Sequence, residues 1–276
     1  MATATITAAE VNKLRKQTGA GMMDCKKALV EADGDFEKAI EILRKKGQKV
    51  AANRADRDAA EGCVLATSNG TKGAILVLNC ETDFVAKNES FVALANSFMD
   101  VAIKNNVDNV DALKALPFDG NLSVADKIIE QTGVIGEKLD ISYFGTVEAA
   151  QVVAYNHPGN SIASVVAVNQ NGIDEQVIRD VAMQVAAMNP IALNADEVSE
   201  DIKQKELELG REIALKEGKP ENIVDKIAEG KLKKFYKENT LLEQDFIKDS
   251  KMSVAAYLDS ASKGLTVTAF KRYSLS

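Results

Sequence analysis

The stretch that most restricts how this chain can fold is Ala74-Ile75-Leu76-Val77-Leu78, a continuous apolar run of strand formers preceded by Asn69-Gly70. Asn-Gly is a strong hairpin signal, so the run predicts a buried strand paired with Cys63 to Thr67. The same grammar returns later. Gln151-Val152-Val153-Ala154-Tyr155, a turn through His157-Pro158-Gly159-Asn160, and Ser164-Val165-Val166-Ala167-Val168 predict a second hairpin. Each is followed by an amphipathic helix, one from about Asn88 carrying Phe91, Ala95, Phe98, Met99 and Ala102, the other from about Asp174 to Met188. A hairpin-then-helix unit occurring twice implies an internally duplicated α+β core.

The two copies differ in the connection between strand and helix. In the second it is Gly172-Ile173-Asp174; in the first it is Glu81-Thr82-Asp83-Phe84-Val85-Ala86-Lys87. Phe84 fits neither the strand pattern before it nor the helical pattern after it. Either it plugs the end of its own sheet, or it projects and enters something else. A duplication in which one copy keeps an aromatic in a polar turn favours a grafted binding site.

Before this core lie three predicted helices. Thr7 and Glu10 form a capping box, with Ile6 and Val11 placed as a hydrophobic staple. The first helix buries Val11 and Leu14 and stops at Thr18-Gly19. The second runs from about Met22 to Ala32, and the third carries Phe36, Ala39, Ile40 and Leu43. Met22 and Met23 are adjacent, so one is expected to face outward as an adaptable contact. Lys45 to about Arg57 lacks an apolar stripe and reads as a partly helical, solvated linker. Asn105 to Gly120 reads as an irregular polar connection. From about Ala195 to Glu238 charges alternate around a narrow stripe of Val198, Ile202, Leu209 and Ile213. The stripe returns after Gly218-Lys219-Pro220 with Val224, Ile227, Ala228, Leu232 and Phe235. This predicts an antiparallel helical hairpin of coiled-coil type, either a structural prop or a second grip on a partner. The expected division is 1–55 for the three helices and linker, 56–140 and 141–276 for the two core subdomains, with the hairpin inserted at about 195–238. After it, Ser253 to Leu258 reads as a short helix and Leu265 to Phe270 as a final strand.

Chemistry is sparsely provided. His157 is the single histidine, and no serine or cysteine nucleophile with an orienting acid lies near it in sequence. No glycine-rich phosphate loop, GxGxxG or HExxH is present. The three cysteines, Cys25, Cys63 and Cys80, have no metal-ligand spacing and read as buried thiols. A net charge of −7 and the absence of tryptophan argue against nucleic acid as the main ligand. No run reaches membrane-spanning length, and Met1 to Ile6 lacks the basic and apolar segments of a secretory signal, so the expected location is the cytoplasm. No catalytic residue, metal or cofactor is assigned.

Two long segments carry a family resemblance. Leu14-Arg15 followed by Thr18-Gly19-Ala20-Gly21-Met22-Met23-Asp24-Cys25-Lys26-Lys27-Ala28-Leu29, and then Asn79-Cys80-Glu81-Thr82-Asp83-Phe84-Val85-Ala86-Lys87-Asn88, resemble the signatures of bacterial-type translation elongation factor Ts. The resemblance runs along essentially the whole chain. It implies a ubiquitin-associated-like start, a duplicated core and a coiled-coil hairpin. It also implies a guanine-nucleotide exchange factor that binds elongation factor Tu, both GDP-bound and nucleotide-free, without itself being an enzyme. Carried over by position, Asp83 and Phe84 enter the partner near its magnesium site, with Thr82 and Val85 shaping the turn. Leu14, Arg15, Met22, Met23 and His157 are further partner contacts; His157 precedes a proline where the family has glycine, and a plain surface turn is its other reading. Some relatives continue beyond the point matching Phe270-Lys271-Arg272-Tyr273, so the contact made by that extra segment is not expected here. Self-association stays open. Two rivals are a protein-binding adaptor built on the three helices and an enzyme centred on His157.

Overall fold

The computed structural model describes residues 6–120 and 122–275; of the N-terminal segment read as lacking a signal, residues 1–5 lie outside the described residues. The chain opens with helices α1 (Ala8–Thr18), α2 (Met22–Glu31) and α3 (Phe36–Asn53). Strands β1 (Glu61–Ser68) and β2 (Lys72–Cys80) follow, then the four-residue α4 (Asp83–Ala86), α5 (Glu89–Lys104) and α6 (Val110–Ala115). Next come β3 (Pro117–Asp119), β4 (Leu122–Ser123), α7 (Val124–Ile135) and β5 (Asp140–Glu148). The second half contains β6 (Gln151–Asn156), β7 (Ile162–Val168), α8 (Glu175–Met188), α9 (Glu200–Lys216), α10 (Glu221–Asn239), β8 (Asp245–Phe246), β9 (Asp249–Ser253), α11 (Val254–Ala261) and β10 (Val267–Ser274). This is a mixed fold of many helices and small sheets, consistent with α+β. No described helix is long and apolar enough to cross a membrane. Contacts group the chain into two units, residues 1–64 with 76–145 and the last two residues, and residues 65–75 with 146–274.

In the first unit the local signals act as the sequence predicts. Thr7 caps α1: its Oγ1 accepts from Glu10 N at 3.3 Å while the Glu10 carboxylate accepts from Thr7 N at 2.8 Å. Gly19 closes the helix with φ at 72°. Val11, Leu14, Cys25, Ala28, Leu29 and Ala39 form the buried cluster of the three helices, with Ile6 packed at its margin. One expectation is corrected. Both Met22 (51% exposed) and Met23 (62%) face outward, because they occupy the first turn of α2. The segment from Lys45 is partly helical and largely exposed, as expected; its helical part is the end of α3, which runs to Asn53 and buries Gly47 against α7. That packing uses bare backbone: a Cβ on Gly133 would overlap Gly47 Cα, and one on Gly47 would lie 3.4 Å from Ile129 O. A contact made by two glycines leaves no apolar stripe in the sequence. The stretch from Asn105 to Gly120 is also more ordered than its polarity suggests. Asn109 Oδ1 accepts from Ala112 N at 2.8 Å and starts α6, and Pro117 begins β3.

Strand order repeats between the halves. One sheet runs β1-β2-β5 and the other β10-β7-β6, so each hairpin receives a later third strand beside its second. In the second sheet Val166 faces Val153 on one side and Phe270 on the other. The recurrence reaches beyond hairpin and helix. In the first half a two-stranded β3-β4 ribbon leads into α7, capped by Ser123; in the second a β8-β9 ribbon leads into α11, capped by Ser253. Ser123-Val124-Ala125 and Ser253-Val254-Ala255 are the same words at equivalent places. The α9 and α10 pair falls between α8 and β8, where the first half has only α6 between α5 and β3.

The second unit buries Val153, Val166, Val168, Ile178, Val181 and Val185 with Leu241, Phe246, Val254 and Leu258. Its helical pair packs through small side chains: Gly210, Ala214, Val224 and Ala228 are buried, and a Cβ on Gly210 would come within 2.9 Å of Ala228 Cα. Leu209, expected in the stripe, is 49% exposed instead. Close backbone approach at Gly210 takes the place of the leucine and turns it to solvent.

Candidate functional site

The end of β2 sets the geometry of the turn that follows. Leu78 and Cys80 are fully buried and anchor the strand, so polarity changes within one residue when the chain reaches Glu81. Thr82 caps α4, its Oγ1 accepting from Val85 N at 3.4 Å, and Asn88 Oδ1 then starts α5 by accepting from Ser90 N at 3.0 Å. Two caps this close leave room for one helical turn. None of α4 is buried, and Phe84 is 83% exposed, the highest value among the large exposed hydrophobic side chains of the described residues. Phe84 therefore does not plug its own sheet.

The turn is fixed at its base rather than by its own packing. Glu137, just after the left-handed Gly136 that ends α7, accepts from Glu81 N at 3.1 Å, Thr82 N at 3.0 Å and Thr82 Oγ1 at 2.6 Å. Glu81 in turn accepts from Lys138 N at 2.6 Å and from Arg54 Nη1 at 2.7 and 2.8 Å. The Lys138 amide, and after it the Arg54 guanidinium, hold the Glu81 carboxyl below the usual carboxylate range. Lys138 Nζ donates to Ala55 O and Arg57 O, tying the same loop to the chain beyond α3. Cys80 Sγ donates to Thr82 O at 3.2 Å. Outside this base Asp83 pairs with Lys87 at 2.6 Å on the solvent side, and the hydrogen bond from Lys87 keeps the Asp83 carboxyl low.

Thr82, Asp83, Phe84 and Val85 thus lie in one turn, with Val85 half-buried. The other residues singled out in the sequence lie elsewhere. Arg15, Met22 and Met23 are exposed on α1 and α2. Leu14 is corrected: it is fully buried in the three-helix cluster, so it holds α1 in place and offers no surface. His157 belongs to the second unit, exposed in the turn after β6, with Nδ1 3.0 Å from Tyr155 Oη and its backbone N donating to Ile162 O. Sequence reasoning missed Arg54 and Glu137, and gave Glu81, which lies within the second signature, no role of its own. Their contacts span 27 to 57 residues and match no motif, so only the folded chain brings them together.

The thiols are inert structural groups. Cys25, Cys63 and Cys80 are fully buried, and burial pushes Cys63 and Cys80 up to about 12. Among the described residues no group of three His, Cys, Asp or Glu side chains is placed to hold a metal ion.

Comparison with known proteins matches residues 81–276 to the family model described as Elongation factor TS, a match that begins at the clamped turn itself. The Elongation factor Ts of Christiangramia forsetii is 55% identical over 276 residues, covering 99% of both chains. That of Porphyromonas gingivalis is 50% identical over 270 residues, covering 98% of both, and that of Bacteroides thetaiotaomicron 40% identical over 327 aligned positions, again with 98% coverage of each. With the family model spanning well over half of the chain and relatives aligned nearly end to end, this chain belongs to the elongation factor Ts family.

Proposed function

We infer that this chain is a guanine-nucleotide exchange factor acting in the cytoplasm on elongation factor Tu, binding its GDP-bound and nucleotide-free states and promoting GDP release during translation elongation. Asp83 and Phe84 form the wedge. The observation that carries this reading is an 83% exposed phenylalanine held on a single turn by a hydrogen-bonded base. A side chain worth burying, displayed at fixed orientation, is suited to enter a partner.

Nucleotide affinity in a GTPase depends on magnesium and on backbone donors around the phosphates, so a wedge that misplaces either weakens binding without covalent chemistry. Burying one phenylalanine yields roughly 1.5–3 kcal/mol, about one to two decades in an equilibrium constant. The remaining docking energy is assigned to the exposed Arg15, Met22 and Met23 and to His157. The three-helix start is read as a ubiquitin-associated-like docking domain preceding core subdomains 56–140 and 141–276. The α9 and α10 pair is read as a coiled-coil arm giving a second grip. Linkage sets the direction of the cycle: whatever factor this chain takes from nucleotide affinity, nucleotide takes from the affinity of this chain. GTP binding then releases it.

The test is displacement of fluorescent GDP from elongation factor Tu by excess unlabelled GDP, with and without catalytic amounts of this chain. Acceleration is expected. Phe84→Ala is expected to keep much of the affinity for the partner and to slow release severely; release at the parental rate by that variant would sink the wedge.

A further inference from the structure

A single turn of helix does not hold itself, because nucleation fixes several residues for one hydrogen bond. α4 has four residues and buries none of them. Its Asp83 and Lys87 pair is solvent-exposed and contributes little to order. The orientation of Phe84 must therefore come from what grips the residues just before it. Cys80 Sγ is a weak donor to Thr82 O. Glu137 is a different matter: one carboxylate takes two consecutive backbone N–H groups and the Thr82 hydroxyl, all within 3.1 Å. Hydrogen bonds to an ionised acceptor are the strong ones. Glu137 itself is placed by the left-handed Gly136 at the end of α7.

We propose that Glu137 is a positioning residue of the exchange device, fixing the Glu81-Thr82 backbone so that Phe84 is presented in one orientation. This rests on the wedge reading above. Glu137 hydrogen-bonds to Glu81 and Thr82, at the base of the turn, so its loss leaves the docking residues Arg15, Met22, Met23 and His157 intact and acts on the step in which the phenylalanine is inserted. The maximal rate of nucleotide release depends on it, and the concentration of this chain giving half that rate does not.

The experiment compares Glu137→Ala, Glu137→Gln, Phe84→Ala and the Glu137→Ala/Phe84→Ala double variant in full-length chain. Fluorescent-GDP release from elongation factor Tu is followed over a range of factor concentrations, and thermal melts monitor folding. Hydrogen exchange of the Glu81 and Thr82 amides is measured in the free chain. Glu137→Ala is expected to lower the maximal rate on the order of ten- to a hundredfold, the scale of a misplaced reacting group, with half-saturation unchanged. Both amides should lose protection. Glu137→Gln keeps one carbonyl acceptor and should fall between, and it carries the test if the alanine variant does not fold. The double variant should be no slower than Phe84→Ala alone. Parental exchange by Glu137→Ala, a loss confined to half-saturation, or an additive loss on top of Phe84→Ala would overturn the assignment. Parental exchange by Phe84→Ala would remove the wedge and this inference together, a result distinguishable because the single Phe84 variant reports it alone.

Discussion

Gly133 and Gly47 meet where α7 crosses α3, yet alanine at the two positions is expected to act with opposite sign. A methyl on Gly133 would overlap Gly47 Cα and lie 3.2 Å from Gly47 N, so every obstacle is backbone and no rotamer change relieves it. Overpacking costs about 1–3 kcal/mol, and rigid obstacles put this site near 3 kcal/mol. Removing a glycine from a helix interior returns about 1 kcal/mol. The net loss is about 2 kcal/mol, a fall in Tm of roughly 4–8 °C. A methyl on Gly47 points instead at Ile129 O (3.4 Å) and Glu130 Cα (3.6 Å), ordinary contact distances. Gly47→Ala should therefore gain about 0.5–1 kcal/mol, raising Tm by roughly 1–4 °C. Thermal and denaturant melts of the two variants and the parent decide the matter. Equal losses at both positions, or a Gly133→Ala variant melting with the parent, would refute the claim that Gly133 sets the crossing.

Phe84→Ala should melt within about 0.5 kcal/mol of the parent, as surface changes do, since the ring is 83% exposed; a larger loss in thermal melts would mean that Phe84 packs on its own chain. Maleimide at pH 8 should leave Cys63 and Cys80 unmodified until denaturant is added, because both are buried with thiols pushed up to about 12. Rapid native-state labelling found by mass spectrometry would contradict that burial. Glu81 has its carboxyl lowered in the folded chain, so the unfolded chain binds more protons near its ordinary value. Its stabilising contribution is present above about pH 4.5 and disappears as pH falls through the lower folded value. The slope of stability against pH between 5 and 3 should be shallower in Glu81→Gln, and an unchanged slope would remove Glu81 from the acid response.

What was readable in the sequence follows from range. The capping box of Thr7 and Glu10, the stop at Gly19 and the Asn69-Gly70 hairpin are governed by residues within four positions, and each stands where the local chemistry puts it. The exposed Phe84 is legible because it breaks two periodic patterns at once. Contacts made by the absence of a side chain leave no such signal. α3 packs beyond Lys45 through Gly47, and α9 packs through Gly210 and Ala214, so a search for apolar stripes passes over the first and puts Leu209 on the wrong face of the second. α7 had a readable start, since Ser123 and Asp126 form a capping box like that of Thr7 and Glu10. Glu137 had none, because a carboxylate after a helix is ordinary until the fold brings Thr82 to it.

The distribution of polar contacts around the turn separates what must be rigid from what must be free. The hydrogen bonds that tie the turn to the rest of the chain lie on the sheet side, at Glu81 and Thr82, while the ion pair on the solvent side, between Asp83 and Lys87, is internal to the turn and exposed. On the exchange reading this division has an energetic reason. Immobilising a side chain on association costs about 0.5–1.5 kcal/mol, a sizeable part of the roughly 1.5–3 kcal/mol that one buried phenylalanine returns. A turn already fixed by Glu137 and Arg54 lowers the backbone part of that cost before the partner arrives. On that same reading, the Asp83 carboxylate, whose side-chain ion pair is with the exposed Lys87, can exchange that lysine for a group of the partner, so the turn is stiff where it must aim and replaceable where it must bind.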